Sequence, residues 1–229
     1  MCGRYTITTP SDVVTGFFEL ATAADYQPRY NVAPTQEAPV VRVLEEADED
    51  GRRLDLVRWG LVPFWADDPS IGNRMINARS ETARDKPSFR DSFKKRRCLV
   101  VADGYYEWKK EKDGKQPHWF HRPDDEPFAF AGLWSRWDKG LEKGDPPLDT
   151  FTLLTRDASP EVKHIHHRMP VVLPKDAYTA WLDPELKDKD AVQEIVANPI
   201  TEGWEIRRVS RKVNSPANDV PDVLREMED

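Results

Sequence analysis

The sequence predicts an α+β fold, mainly antiparallel and organised as a single domain over residues 1–229. Short apolar runs of strand length outnumber helical patterns, and the two do not alternate regularly, which argues against a doubly wound parallel sheet. No internal repeat and no linker of disordered composition divides the chain. At 229 residues it is long enough to bury a sizeable core.

Pro10-Ser11 opens a helix with Ser11 as N-cap, and Val13, Val14, Phe17 and Phe18 recur at helical spacing as its core face. Tyr30 to Thr35 reads as an ordered loop. Ala38 to Leu44 is a strand, Glu45 to Arg53 a charged turn, and Leu54 to Leu61 a returning strand that stops at Pro63. Phe64 and Trp65 follow in a loop expected to expose an aromatic ring. Ser70 to Arg84 lacks periodicity and predicts a long functional loop. Ser88 to Arg97 is a basic helix turning Phe89 and Phe93 inward. Cys98 to Ala102 is a strand that breaks at Asp103-Gly104 and resumes from Tyr105 to Lys109. Lys110 to Asp125 reads as polar and turn-rich, Pro127 to Trp137 as a strand, Lys139 to Leu148 as a loop. Strands follow at Thr150 to Thr155 and Met169 to Leu173. Helices follow over Pro174 to Leu182, with Pro174 favourable at the first position, and over Asp190 to Ala197. Trp204 to Ser210 is the last strand, and a polar tail begins at about residue 211.

Composition narrows the function. The chain is 38% hydrophobic and 33% charged, with no apolar run long enough to span a bilayer. No charged-then-apolar leader is visible, and two cysteines make no disulfide framework, so an intracellular, reducing setting is expected. A net charge of -7 argues against a wholly basic nucleic-acid binder. Charge is uneven, however: between Arg74 and Arg97, nine Lys/Arg face three Asp/Glu. A P-loop, a dinucleotide glycine fingerprint and a serine nucleophile elbow are absent from the sequence.

Chemistry concentrates first at Cys2. If Met1 is removed, Cys2 presents an α-amine and a thiol on adjacent carbons. Such a 1,2-aminothiol captures an aldehyde twice, first as an imine and then as a thiazolidine ring. Both groups titrate near neutrality, at roughly 8 and roughly 8.5, and Arg4 is expected to favour the thiolate. The competing reading is a disordered terminus. Cys98, inside CLVVA, reads as an inert core residue.

Glu107 lies in the aromatic strand DGYYEW, sharing a face with Tyr105 while Tyr106 and Trp108 point the other way. Burial there raises a carboxyl toward a useful acid/base range; the alternative is an ordinary edge-strand Glu. Three histidines cluster in HIHHRMP, and HWFH adds His118 and His121, without a recognised zinc spacing. An acid/base role for one of them is the better reading, with His166 and Arg168 able to reach one site. Asn77, Arg79 and Glu81 in INARSET suggest polar anchoring of a ligand, or a turn held by Asn and Ser side chains.

Seven segments carry a resemblance. They are CGRY at Cys2 to Tyr5, YNVAPTQ at Tyr30 to Gln36, RWGLVPFWA at Arg58 to Ala66 and NARSET at Asn77 to Thr82. They continue with CLVVADGYYEW at Cys98 to Trp108, LLTRDAS at Leu153 to Ser159 and IHHRMPVVL at Ile165 to Leu173. In this order they resemble the SRAP family, the SOS-response-associated peptidase domains also known as abasic-site processing proteins. Val101 stands where many members have Pro. The resemblance implies a barrel-like antiparallel sheet, a positive groove, and a sensor of abasic sites in single-stranded DNA. It implies cross-linking through Cys2, with Asn77 as polar anchor, Glu107 as acid/base and His166 assisting sugar-ring opening. Removal of Met1, by the protein itself or otherwise, underlies the peptidase label.

Arg4, Arg79, Arg97 and Arg168 are the expected phosphate contacts, Thr155 is a further DNA contact, and Pro63 with Trp65 would wedge against bases. For Trp65 the alternative is core packing. No cofactor or metal is expected; the partner is abasic single-stranded DNA, and the protein is expected to be monomeric and cytoplasmic, nucleoid-associated when bound. Two rivals stand beside this reading: a cysteine-dependent peptidase or N-terminal-nucleophile hydrolase, and a non-covalent single-strand-binding module.

Overall fold

The structure is a computed structural model that describes residues 2–44, 51–142 and 144–227 of the chain. In order, the elements are β1 (Tyr5–Ile7), α1 (Ser11–Phe17), β2 (Thr22–Ala23), β3 (Arg29–Val32), β4 (Glu37–Arg42), β5 (Arg53–Trp59), β6 (Asn77–Arg79) and α2 (Arg90–Lys95). They continue with β7 (Arg97–Ala102), β8 (Gly104–Glu111), β9 (Gly114–His121), β10 (Phe128–Trp137), β11 (Leu148–Asp157), α3 (Pro160–Lys163) and β12 (Arg168–Pro170). The last are β13 (Val172–Leu173), α4 (Tyr178–Leu182), α5 (Lys189–Ala197) and β14 (Glu205–Arg208).

The α+β, barrel-like expectation holds. Strands β5, β4, β7, β10 and β11 pair antiparallel in that order, and β11 closes the ring by pairing in parallel with β5. Closure removes the sheet edges that would otherwise need protection. The strands are apolar because both faces are covered: every residue of RCLVVA in β7 is buried. A second sheet, ordered β14-β9-β8-β1-β3, lies beside the barrel. Tyr5 on β1 joins the two, its ring 5.3 Å from Trp59 and 5.7 Å from Phe130. Trp59 in turn stacks on Phe151 and donates Nε1–H to the Ile76 carbonyl at 2.8 Å.

Two glycine positions set how the site-bearing segments run. Gly60 has φ +124°, and a Cβ on Gly72 would sit 2.4 Å from the Gly60 oxygen. The backbone therefore crosses itself there, fixing the Pro63–Trp65 loop against the approach to β6. At the Asp103-Gly104 break a Cβ would meet the Trp119 indole nitrogen at 2.2 Å. Asp103 Oδ2 there accepts from the backbone N–H and hydroxyl of both Thr8 and Thr9, tying the end of β1 to the start of β8.

Several local expectations are corrected. Helix α1 begins at Ser11 with Pro10 in the cap position, and the Ser11 hydroxyl bonds Asp25 instead. Val14 and Phe18 are buried, but Val13 is 49% exposed, because two turns present only one narrow inward stripe. The loop read at Tyr30 to Thr35 begins inside β3. The segment Ser70 to Arg84 contains a 3₁₀ turn and β6, which extends the barrel by pairing in parallel with β11. The stretch read as polar, Lys110 to Asp125, contains β9, whose Gln116, Trp119 and Phe120 are buried. The polar tail after residue 211 packs: Val213 and Val223 are buried with Tyr106, Trp119 and Val209. The charged turn at Glu45 to Arg53 falls largely on residues 45–50, outside the described residues. Among the described residues no helix is long and apolar enough to cross a membrane.

Candidate active site at the N-terminal cysteine

Cys2 lies three residues ahead of the start of β1 at Tyr5, and β1 is held between β3 and β8. That pairing brings the chain start against the middle of β8, where the Tyr106 N–H donates to the Arg4 carbonyl at 3.0 Å. Cys2 is fully buried, and its thiol points back to the Arg4 carbonyl at 3.6 Å. A disordered terminus is thereby excluded for residue 2. From the barrel side, Asn77 at the head of β6 donates its amide to the Cys2 carbonyl at 2.8 Å. Two sheets thus grip the residue from both sides.

The expected thiolate is not what this environment favours. Burial pushes the Cys2 thiol well above its ordinary range, and the nearby Glu107 carboxylate adds to the rise. Arg4 does not counter this, because its guanidinium is spent elsewhere. It donates to Asn31 Oδ1 at 3.0 Å, to the Val213 carbonyl at 2.7 Å and to the Asn214 carbonyl at 3.3 Å. Asn31 donates to the carbonyls of Val213, Ser215 and Asn218, so Arg4 and Asn31 together clasp the C-terminal segment onto β1 and β3.

Glu107 is 2% exposed, and burial pushes its carboxyl up to about 7, so that it can both give and take a proton near neutrality. It shares the inward face of β8 with Tyr105, while Tyr106 belongs to the second cluster under the C-terminal segment, as the strand alternation requires. His166 Nδ1 lies 3.9 Å from Glu107 Oε2 and 3.0 Å from the Arg168 carbonyl; in the neutral tautomer that donates Nδ1–H to that carbonyl, Nε2 carries the basic lone pair. Burial lowers the imidazole, which is therefore neutral at pH 7 and available to accept a proton. Glu107, His166, Arg4, Trp108, Lys115 and Asn214 line one pocket of about 400 Å³, to which Arg4 brings the segment that carries Cys2.

The remaining expected contacts separate. Arg79, at the end of β6, is exposed, and its guanidinium forms no hydrogen bond or ion pair with the described residues. Trp65 is 43% exposed and Phe64 49%, so core packing of Trp65 is ruled out, whereas Pro63 is buried. Their loop is anchored by Trp137 Nε1–H donating to the Ala66 carbonyl at 2.8 Å. Arg97, expected at a phosphate, is 4% exposed and donates to the carbonyls of Trp181, Phe93, Lys94 and Asp183. It stitches α2 and α4 to the barrel, with four of its five N–H donors committed to buried carbonyls and almost no surface left to meet DNA. Arg168 is likewise buried, between Glu81 at 2.7 Å and Asp157 at 2.6 Å, and it fixes the strand that follows His166. Thr155 is fully buried; its hydroxyl donates to the Ala78 carbonyl at 3.4 Å, joining β11 to β6 instead of facing solvent.

Sequence reasoning missed Lys115, Trp108, Asn214 and Asn31 as parts of the site. Recognising β9 would have paired Lys115 with Lys110 on the Trp108 face of the hairpin, but not with Glu107, which pairs with His118 on the other face. The tail residues left no sequence signal. Among the described residues no group of three or more His, Cys, Asp or Glu is arranged to hold a metal ion.

Comparison with known proteins fits this geometry. Residues 1–216 match the family model for SOS response associated peptidase (SRAP). Over 228 residues the chain is 37% identical to the abasic site processing protein YoqW of Bacillus subtilis, covering 98% of this chain and 99% of that protein. It is 37% identical over 227 residues to the abasic site processing protein HMCES of Gallus gallus, covering 87% of this chain and 66% of that protein. A crystal structure of a Bacteroides thetaiotaomicron protein superposes with a TM-score of 0.85 at 26% identity, covering 99% of this chain and all of that one. The chain belongs to the SRAP family.

Proposed function

We propose that this protein processes abasic sites in single-stranded DNA by capturing the ring-opened deoxyribose on the aminothiol of Cys2, once Met1 is gone. The observation that carries the reading is the buried Cys2, held through its carbonyl by Asn77 beside a carboxyl that titrates at about 7. The relatives' shared designation as abasic site processing proteins supports the substrate class.

The steps follow from what each group can do. An abasic sugar is mostly a closed hemiacetal; neutral His166 takes the anomeric hydroxyl proton as the C1′–O4′ bond breaks, and the proton passes on to O4′, which becomes the 4′-hydroxyl of the open aldehyde. The Cys2 amine adds to the carbonyl carbon, giving a carbinolamine. Glu107 in its protonated form delivers a proton to the departing hydroxyl, so that water leaves and the imine forms. The thiol then adds across C=N: a C–S bond forms, the thiol proton leaves through Glu107, and the ring nitrogen gains one. A thiol held neutral by burial suits this order, because it does not compete with the amine for the aldehyde. Asn77 fixes the Cys2 carbonyl, so amine and thiol keep one orientation toward the pocket. Exposed Arg79 and Trp65 are suited to a phosphate and a base face of a bound strand.

The test mixes purified protein with single-stranded DNA carrying one abasic site and with intact DNA, on a denaturing gel. A heat-stable shifted band on abasic DNA alone is the expected result. Binding to both DNAs without such a band would leave a non-covalent module, and proteolysis of added substrates without any adduct would favour a peptidase.

A further inference from the structure

The cations around the pocket are unequal, and the difference points to a residue outside the family segments. Arg4 is committed to the C-terminal segment and Arg168 to two carboxylates. Lys115 lines the same pocket as Glu107 and His166, yet it is exposed and its ammonium makes no hydrogen bond or ion pair with the described residues. It sits on β9 at the turn of the β8–β9 hairpin, paired in register with Lys110. Its positive charge is felt at His166, where it helps to hold the imidazole neutral.

We infer that Lys115 is a phosphate-binding residue of the abasic-strand site, gripping a backbone phosphate next to the lesion. The argument rests on the capture reading given above and extends it. Arg79 offers an uncommitted cation from β6, which belongs to the barrel, while Lys115 offers one from β9, in the second sheet. Cys2 is held between these same two sheets. A strand crossing the junction would meet one cation from each sheet, with the sugar between them over the pocket. Two point charges fix the backbone and leave the lesion free to turn inward, and contacts to phosphate carry register without reading sequence. A lysine suits this place, since its ammonium binds phosphate as a mobile point charge and imposes no planar geometry.

The magnitude is set by counterion release. Each phosphate contact to a single strand adds ~0.7 to the slope of log affinity against log salt. Losing one contact lowers that slope by ~0.7, which at 0.1 M salt is about a fivefold loss of affinity. Equilibrium binding to abasic single-stranded DNA is measured in a Cys2→Ala background, which removes the thiol and blocks thiazolidine formation, with Lys115 kept or replaced by Gln or Arg. Lys115→Gln is expected to show the reduced slope and Lys115→Arg to retain it. With Cys2 intact, Lys115→Gln should raise the DNA concentration for half-maximal capture about fivefold. An unchanged slope in Lys115→Gln overturns the inference. So does a borohydride-trapped adduct in the Cys2→Ala protein that vanishes with Lys115→Arg, since the amine would then be a nucleophile. If wild-type protein forms no heat-stable adduct, the capture reading fails whatever Lys115 does; if the adduct forms and the slope is unchanged, only the lysine assignment falls.

Discussion

Replacing Glu107 by Gln separates what the carboxyl costs from what it does. The carboxyl rises from an ordinary 4.5 to about 7 because burial disfavours its charge. A carboxyl with a raised value in the fold binds its proton more tightly there than in the unfolded chain. Its contribution to stability is therefore fully present below pH 4.5 and is lost as pH climbs through 7. At 1.36 kcal/mol per pH unit the loss reaches about 3 kcal/mol above pH 7. Glutamine keeps the shape and never ionises. Urea unfolding of both proteins between pH 4 and 8 should show the variant gaining on the wild type by about 3 kcal/mol across that interval, with little difference in trend outside it. Adduct formation at pH 7 should meanwhile slow by ~10²–10⁴-fold, the usual worth of a positioned proton shuttle. A stability difference independent of pH would show that Glu107 titrates as an ordinary surface carboxyl. A wild-type single-turnover rate would return it to a structural role.

Three further variants probe the surroundings. Cys98→Ala, a truncation in the barrel wall, should cost about 1 kcal/mol in a thermal melt yet leave adduct yield unchanged, whereas Cys2→Ala should abolish the adduct. Asn77→Ala leaves the Cys2 carbonyl without its donor; a loss of about 1 kcal/mol should accompany slower capture, and a wild-type capture rate would remove Asn77 from the orienting role. Arg97→Met strands four backbone carbonyls and should destabilise the fold by about 3 kcal/mol or more in denaturant titration. The salt slope of DNA binding by the folded variant should stay unchanged, and a shallower slope would restore Arg97 to the phosphate path.

The parts readable in the sequence were those with a local signature. Strand runs such as CLVVA and the TFTLLT stretch are apolar because they are covered on both faces, and the alternation of Tyr105, Tyr106 and Glu107 predicts their opposite faces in β8. What hid β9 was composition: Lys115, Gln116, Pro117 and a glycine turn mask a strand whose pairing on both edges overrides weak propensity. Closure of the barrel depends on a parallel contact between β5 and β11, nearly a hundred positions apart, which no window of residues reveals. Asn77 bonds Cys2 and His166 lies beside Glu107, neighbours far apart in the chain whose grouping the family resemblance implied and whose roles belong to the proposal. The arginines do not sort by sequence, because an arginine bound to phosphate and one bound to buried carbonyls look alike until their neighbours are known. Arg97 and Arg168 are of the second kind, and the role of Arg4 depends on carbonyls more than two hundred positions away.

The central claim is that Cys2 reacts as the first residue of the chain, with amine and thiol together. A thiol alone gives a labile hemithioacetal with an aldehyde, and an amide nitrogen still carrying Met1 is not nucleophilic. Intact-mass measurement of active protein should therefore find Met1 missing. A version extended ahead of Cys2 by an uncleavable tag should bind abasic single-stranded DNA yet give no heat-stable band on a denaturing gel. If the extended protein cross-links at the wild-type rate, the terminal aminothiol is not the reactive group, and borohydride trapping would then be expected to reveal a lysine imine in its place.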